Sequence, residues 1–205
     1  MIARADRSLD LQRGLRLEYF SLGYNAFEAF VGIAAGVLAG SVALIGFGLD
    51  SIVEGASALI LVWRLRSERS NARTSEEAEV RAVRLVAIAF LVLAAYVGVN
   101  ACIELVRATR PDPSPVGMGL ALVSLIIMPV LAKRKRDLAR ELDSRSMEAD
   151  SKQTILCTYL SAVLLFGLLT NSLFGWWWAD PIAALVIAGL AASEGIELWR
   201  HRDVC

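Results

Sequence analysis

Histidine is all but missing from this chain: the one example, His201, stands in the C-terminal tail. No nucleophile–base pair and no phosphate-binding glycine loop can be assembled from the sequence, which leaves an enzyme little to work with. Cysteine is scarce too. Cys102, Cys157 and Cys205 show no paired spacing, so nothing suggests a disulfide framework and the three are read as reduced thiols. There is no internal repeat, no low-complexity tract and no His-rich loop. Charged residues make up only 20% of the chain, and almost nothing is left over for a soluble domain.

What the chain has instead is apolar length. Of its 205 residues 56% are hydrophobic, with a mean hydropathy of +0.54. A membrane-spanning helix needs about 20 mostly apolar residues, because the hydrocarbon layer is about 30 Å thick and a helix rises about 1.5 Å per residue. Six such runs can be cut, at 17–39, 41–63, 83–106, 115–132, 149–174 (apolar from 154) and 179–199. The expected fold is an all-α membrane protein of six transmembrane helices in a single domain over 1–205. The first run is too long for a signal-peptide core and is followed by no clear cleavage site, so it is read as a retained span.

A net charge of zero conceals a strong asymmetry. All of the 21 basic residues except Arg107, Arg110 and Lys152 fall on one side of this six-span arrangement. They form groups at Arg4–Arg16, Arg64–Arg84, Lys133–Arg145 and Arg200–Arg202. The positive-inside rule then places both termini in the cytoplasm and suggests a multi-pass protein of the plasma (inner) membrane.

The connection between the first two spans, Ala39-Gly40-Ser41, is so short that the two helices must be adjacent and antiparallel. Gly32, Gly36 and Gly40 repeat as small-xxx-small, a spacing that lets helices approach closely. Arg110-Pro111-Asp112-Pro113-Ser114-Pro115 is a turn no helix can cross. Residues 66–82 read as a solvated connection, and 133–148 as a charged amphipathic extension of helix four facing solvent and headgroups. Trp176-Trp177-Trp178 fits an interfacial anchor.

Carboxylates inside hydrocarbon cost about 2.5–3.5 kcal/mol each on insertion scales, so they are functional candidates by default. In Gly48-Leu49-Asp50-Ser51-Ile52-Val53-Glu54-Gly55 two acids lie four residues apart on one helix face, near the midplane. Two such charges in low dielectric require that one be protonated or that a cation sit between them. A divalent metal would satisfy both. The competing structural account pairs them with Lys152 or with hydrogen-bond partners on neighbouring helices. Helix five carries a second i, i+4 pair, Gln153 and Cys157, which alone would pass for packing or an interhelical hydrogen bond.

Taken together, Gly40-Ser41-Val42-Ala43-Leu44 leading to Asp50-Ser51, Ala149-Asp150 ahead of helix five, and Trp178-Ala179-Asp180-Pro181 opening helix six resemble the cation diffusion facilitator (cation efflux) family over nearly the whole chain. The resemblance implies a cation-efflux-like bundle that exports zinc or a related divalent metal in exchange for protons. It also implies a transport site at Asp50, Glu54, Gln153 and Cys157, with Asn25 and Glu28 as accessory groups. Gln153 and Cys157 stand where most relatives have His or Asp, and Asp. A thiolate favours softer ions, so zinc remains the expected cargo. Glu28 is equally open to a proton-carrying and an interhelical bonding role. The chain ends shortly after helix six, so it is expected to lack the family's cytoplasmic domain and to form any homodimer through its membrane helices.

The partners expected are therefore the bilayer, a divalent metal and protons, with no prosthetic group and no nucleic acid. Three rivals stand beside the metal exporter: a non-transporting sensor or scaffold of the same fold, an organic-cation carrier, and, with least support, a membrane enzyme.

Overall fold

Six long helices follow one another with short connections in the computed structural model, which describes residues 2–69 and 76–201. Side chains are described for 9–67, 84–144, 147, 148 and 150–200. The charged groups of Arg4, Arg7, Arg69, Arg73, Arg81, Arg145 and Arg202, the side chain of His201, Cys205 and part of the 66–82 connection lie outside the described residues. The helices are α1 (Ile2–Ala39), α2 (Val42–Arg69), α3 (Glu76–Arg107), α4 (Pro115–Leu142), α5 (Arg145–Phe174) and α6 (Ala179–His201). Each contains a stretch long and apolar enough to cross a membrane. Large apolar side chains such as Phe27, Phe30, Val106, Ile126 and Phe166 point outward, as lipid requires and water would not tolerate over so wide an area.

One end of the bundle, here the turn end, is set by residues that stop helices. Gly40 takes φ +65° and turns α1 into α2; Gly175 takes φ +66° and caps α5. Ser114 caps α4 by accepting from the Gly117 amide, with Pro115 in the first turn. The stretch 108–114 is tied down from two sides: Asp112 donates its amide to the Ala39 carbonyl at 2.8 Å, and the Asn171 amide donates to the Pro111 carbonyl at 3.0 Å.

At the opposite end, here the connection end, the helices run further than the apolar runs do. The apolar spans end at 63 in α2, begin at 83 in α3, end at 132 in α4, with 133–148 expected as a charged extension of that helix, and begin at 149 in α5. The structure gives 69, 76, 142 and 145. Hydropathy marks where hydrocarbon stops, whereas Arg, Lys and Glu continue a helix readily into water. The segment 133–148 carries the amphipathic extension of helix four expected from the sequence, with Lys133, Arg134, Arg136, Asp137, Arg140 and Glu141 exposed, but its other face is not solvated. Lys135, Leu138, Ala139, Leu142 and Met147 are buried there, and Asp143 in the left-handed region with Ser144 as the next N-cap makes a tight corner between α4 and α5.

The helices pair as α1 with α2, α3 with α6, and α4 with α5; α1 also packs on α4, and α2 touches α3, α5 and α6. Close approach of α1 and α2 rests on glycine. A Cβ on Gly48 would stand 2.7 Å from the Ile33 amide nitrogen, and one on Gly36 would stand 2.8 Å from that of Ile45. Gly40, the third member of the small-xxx-small series, makes the turn instead and meets nothing within 4 Å. The outcome is a compact α1–α2–α4–α5 unit flanked by the α3–α6 pair, with an apolar core centred on Leu44, Phe47, Val97, Met128, Leu164 and Ile187.

Candidate functional site

Polar side chains are buried in three layers along this bundle. Nearest the turn end, Ser41 donates to Asp180 Oδ1 at 2.5 Å and accepts from the Leu44 amide at 3.1 Å, while Asp180 Oδ2 accepts from the Ala43 amide at 3.3 Å. Asp180, carried in on the first turn of α6, thus completes the cap of α2. The Ser41 and Asp180 motifs, separate in sequence, are one hydrogen-bonded unit at the start of α2.

The middle layer holds the six residues singled out from the sequence, all of them buried. Asp50 and Glu54 come from α2, Gln153 and Cys157 from α5, Asn25 and Glu28 from α1. Glu54 Oε1 accepts from the Thr154 hydroxyl at 3.0 Å, and the Cys157 thiol lies beside the same carboxylate. Asp50 and Gln153 share the wall of a crevice of about 10 Å³, closed by Phe90 of α3 and by Leu190, Ala191 and Glu194 of α6. That volume is on the scale of a single water. Asn25 abuts Gly55, next to Glu54.

Glu28 is held differently. One of its oxygens accepts from Ser51 at 2.8 Å and the other from Ser124, whose hydroxyl is also 2.8 Å from that of Tyr24. Glu28 therefore bridges α1, α2 and α4. The interhelical role weighed for it in the sequence is the one its hydrogen bonds display. Its neighbours in the layer are left short: Glu54 Oε2, both polar atoms of Asn25 and Gln153 Nε2 have no hydrogen-bond partner. Buried polar atoms without partners are uncommon and costly, so this concentration of them marks the layer as unusual. Lys152 is not their counter-ion. It is exposed and pairs with Glu148 at 3.3 Å, one turn away on its own helix. Among the described residues no three His, Cys, Asp or Glu side chains stand close enough to enclose a metal ion.

The third layer was missed. Lys135 Nζ is fully buried, 2.5 Å from Asp150 Oδ2 and 3.3 Å from Glu18 Oε2, tying α4, α5 and α1 together. A signal for it exists in the sequence: Leu131, Lys135, Leu138 and Leu142 fall on one helical stripe, and the other three are apolar. Glu18 and Glu194 could have been found by asking of spans one and six what was asked of span two, namely why an acid stands inside an apolar window.

Six apolar helices around a buried, incompletely bonded layer of acids, amides and a thiol define a multi-pass membrane protein with a polar centre. The sequence matches the cation efflux transmembrane domain over residues 19–201, and the chain belongs to that family of transporters. It is 27% identical to an uncharacterized transporter of Synechocystis sp. over 191 residues, covering 89% of this chain and 61% of the relative. It is 29% identical over 92 residues to the cation-efflux pump FieF of Shewanella oneidensis, covering 42% of this chain and 31% of that protein. The chain thus spans less than two thirds of the length of either relative.

Proposed function

We propose that the protein exports a divalent transition metal, zinc above others, by alternating access in exchange for protons, and that Asp50, Glu54, Gln153 and Cys157 are the groups that hold the metal in transit. The observation that carries this reading is the middle layer itself. Oxygen, amide and sulfur groups of α2 and α5 face one another at mid-bundle depth with polar atoms left unpartnered. Such atoms are what an arriving cation would satisfy.

The chemistry asks for little. Carboxylates and a thiol give up protons to bind a metal and take them back as they release it, so metal and proton occupancy exclude each other without a separate relay. Rocking the α1–α2–α4–α5 unit against its surroundings would expose the same groups to either face in turn. A thiolate beside two carboxylates suits zinc better than magnesium or calcium. The basic residues gathered at the connection end support a cytoplasmic location for that end and insertion in the plasma membrane.

The deciding measurement is zinc uptake into everted or reconstituted vesicles under an imposed proton gradient, for the native chain and for Asp50→Ala and Cys157→Ala. Flux in the native chain that is lost in both variants supports one metal site between α2 and α5. A second reading, a non-transporting sensor or scaffold, is favoured by the lack of a three-ligand group among the described residues. A native chain that moves none of zinc, manganese, iron and cadmium would establish that reading and end the first.

A further inference from the structure

The third polar layer has no role in the transport reading, yet it lies between the middle layer and the connection end. Asp150 and Thr154 occupy one face of α5 a turn apart. Thr154 donates to Glu54 in the middle layer, while Asp150 holds Lys135. Among the described residues the ammonium of Lys135 faces the carboxylates of Asp150, Glu18 and, further off, Glu54. The acids are not used up by it: Glu18 Oε1 and Asp150 Oδ1 have no hydrogen-bond partner, and Glu18 Oε2 meets the ammonium as an ion pair without hydrogen-bond geometry. A buried ion pair contributes little net stability over an apolar replacement of the same volume, so stability alone is a weak account of this one.

The helix that delivers the lysine is also interrupted. Pro129 lies inside α4, between Ser124, which bonds to Glu28, and Lys135. A proline removes one helical hydrogen bond and is the usual place for a helix to bend. Pro129 thus gives α4 a weak point between the part bonded to Glu28 and the part bearing Lys135.

We propose that Lys135 is a resident cation that gates the connection end. Seated between Glu18 and Asp150, it takes the place a cargo cation would occupy on its way to Glu54. It closes α1, α4 and α5 over the middle layer, and when it withdraws it leaves two carboxylates as a transit site for a divalent cation. Lysine and cargo exclude each other there by charge and by volume. The proposal rests on the transport reading, but its test has a readout that needs no transport.

Cys157 lies behind the gate, and with Cys102→Ser and Cys205→Ser it becomes the sole thiol of the full chain. In liposomes, its rate of modification by a small cationic methanethiosulfonate added from the connection end reports the state of the gate. The variant Glu18→Gln/Lys135→Met/Asp150→Asn removes every charge of the layer at once, so no ion is left buried and unpaired. It is expected to be modified about tenfold faster than the parent or more, the population shift that loss of a modest closing preference produces, and to leak zinc without a proton gradient. Glu18→Gln alone keeps the 2.5 Å Asp150 pair and serves if the triple variant does not fold; it is expected to label at an intermediate rate. Folded variants labelled at the parent rate would overturn the gate. Native flux with unchanged labelling sinks the gate alone, whereas no native flux with faster labelling sinks the transport reading and leaves the gate.

Discussion

Asp180 and Glu54 are both carboxylates sunk in a bundle of apolar helices, and they are treated in opposite ways. Both oxygens of Asp180 are occupied by donors from the start of α2, one from a hydroxyl and one from an amide. Glu54 receives one hydroxyl on Oε1 and nothing on Oε2, and Asn25 and Gln153 nearby have unpartnered atoms as well. A buried acid that organises a helix end is given its full set of donors, because an unsatisfied group there costs stability and yields nothing. An incompletely bonded one leaves room for a further partner, and the transport reading supplies one. Burial alone does not distinguish the two; the donor inventory does.

The sharpest way to break this contrast is to remove one carboxylate of each kind. Glu54→Gln is expected to cut proton-driven zinc flux by more than about 100-fold, beyond what the loss of a ligand's hydrogen-bonded support produces. Thermal unfolding in detergent should change little. Asp180→Ala should do the reverse. Losing the acceptor for Ser41 and the Ala43 amide should cost about 3–6 kcal/mol, the value of two hydrogen bonds to a charged group. Flux per folded molecule should survive. If Asp180→Ala instead abolishes flux at native stability, Asp180 belongs to the transport chemistry and the contrast is wrong.

How much of this was legible follows from what each feature is made of. The turn end was placed to within a residue or two because Gly40, the Pro111–Pro115 run and Gly175 with Pro181 interrupt helices by their covalent geometry. At the connection end the apolar spans stop short of the helices, by 15 residues at the start of α1 (17 against Ile2), because charged residues end a hydrophobic run without ending a helix. Asp50, Glu54 and Glu28 were found by charge in an apolar window. Lys135 was not, since it stands within Lys133-Arg134-Lys135-Arg136, where the default reading of a basic run is a wet surface. Its burial depends on where Glu18 and Asp150 arrive from α1 and α5, and that is tertiary information. Nor could spacing alone reveal that Ser41 and Asp180, 139 positions apart, bond to each other.

A smaller effect tests the packing that aligns α1 with α2 and so sets the depth of Asp50 and Glu54. Gly48→Ala would bring a methyl group to 2.7 Å from the Ile33 amide nitrogen and 3.1 Å from the Ala29 carbonyl oxygen, both backbone atoms that cannot turn aside. Forcing the helices apart should cost about 1–3 kcal/mol, as overpacking does elsewhere. Gly23→Ala, with nothing within 4 Å of the added atom, is the matched control. Equal unfolding temperatures for the two would show that the glycines do not govern the approach.

The smallest effect is expected at Lys152, and its value lies in being small. A lysine beside the helix-five pair could have neutralised the middle layer, in which case the acids would be a structural ion cluster with no vacancy for a cargo. The structure places Lys152 on the exposed face of α5 with Glu148, an i, i+4 partner on the same helix. Exposed pairs of this kind contribute about 0.3–0.5 kcal/mol. Lys152→Ala should therefore leave zinc flux and its dependence on the proton gradient at native values, while the unfolding temperature in detergent shifts by little. A collapse of flux in Lys152→Ala with the fold intact would mean that its charge reaches the middle layer during the cycle. Glu54 would then join Asp180 as an acid with a resident partner, and the difference between them would be one of timing.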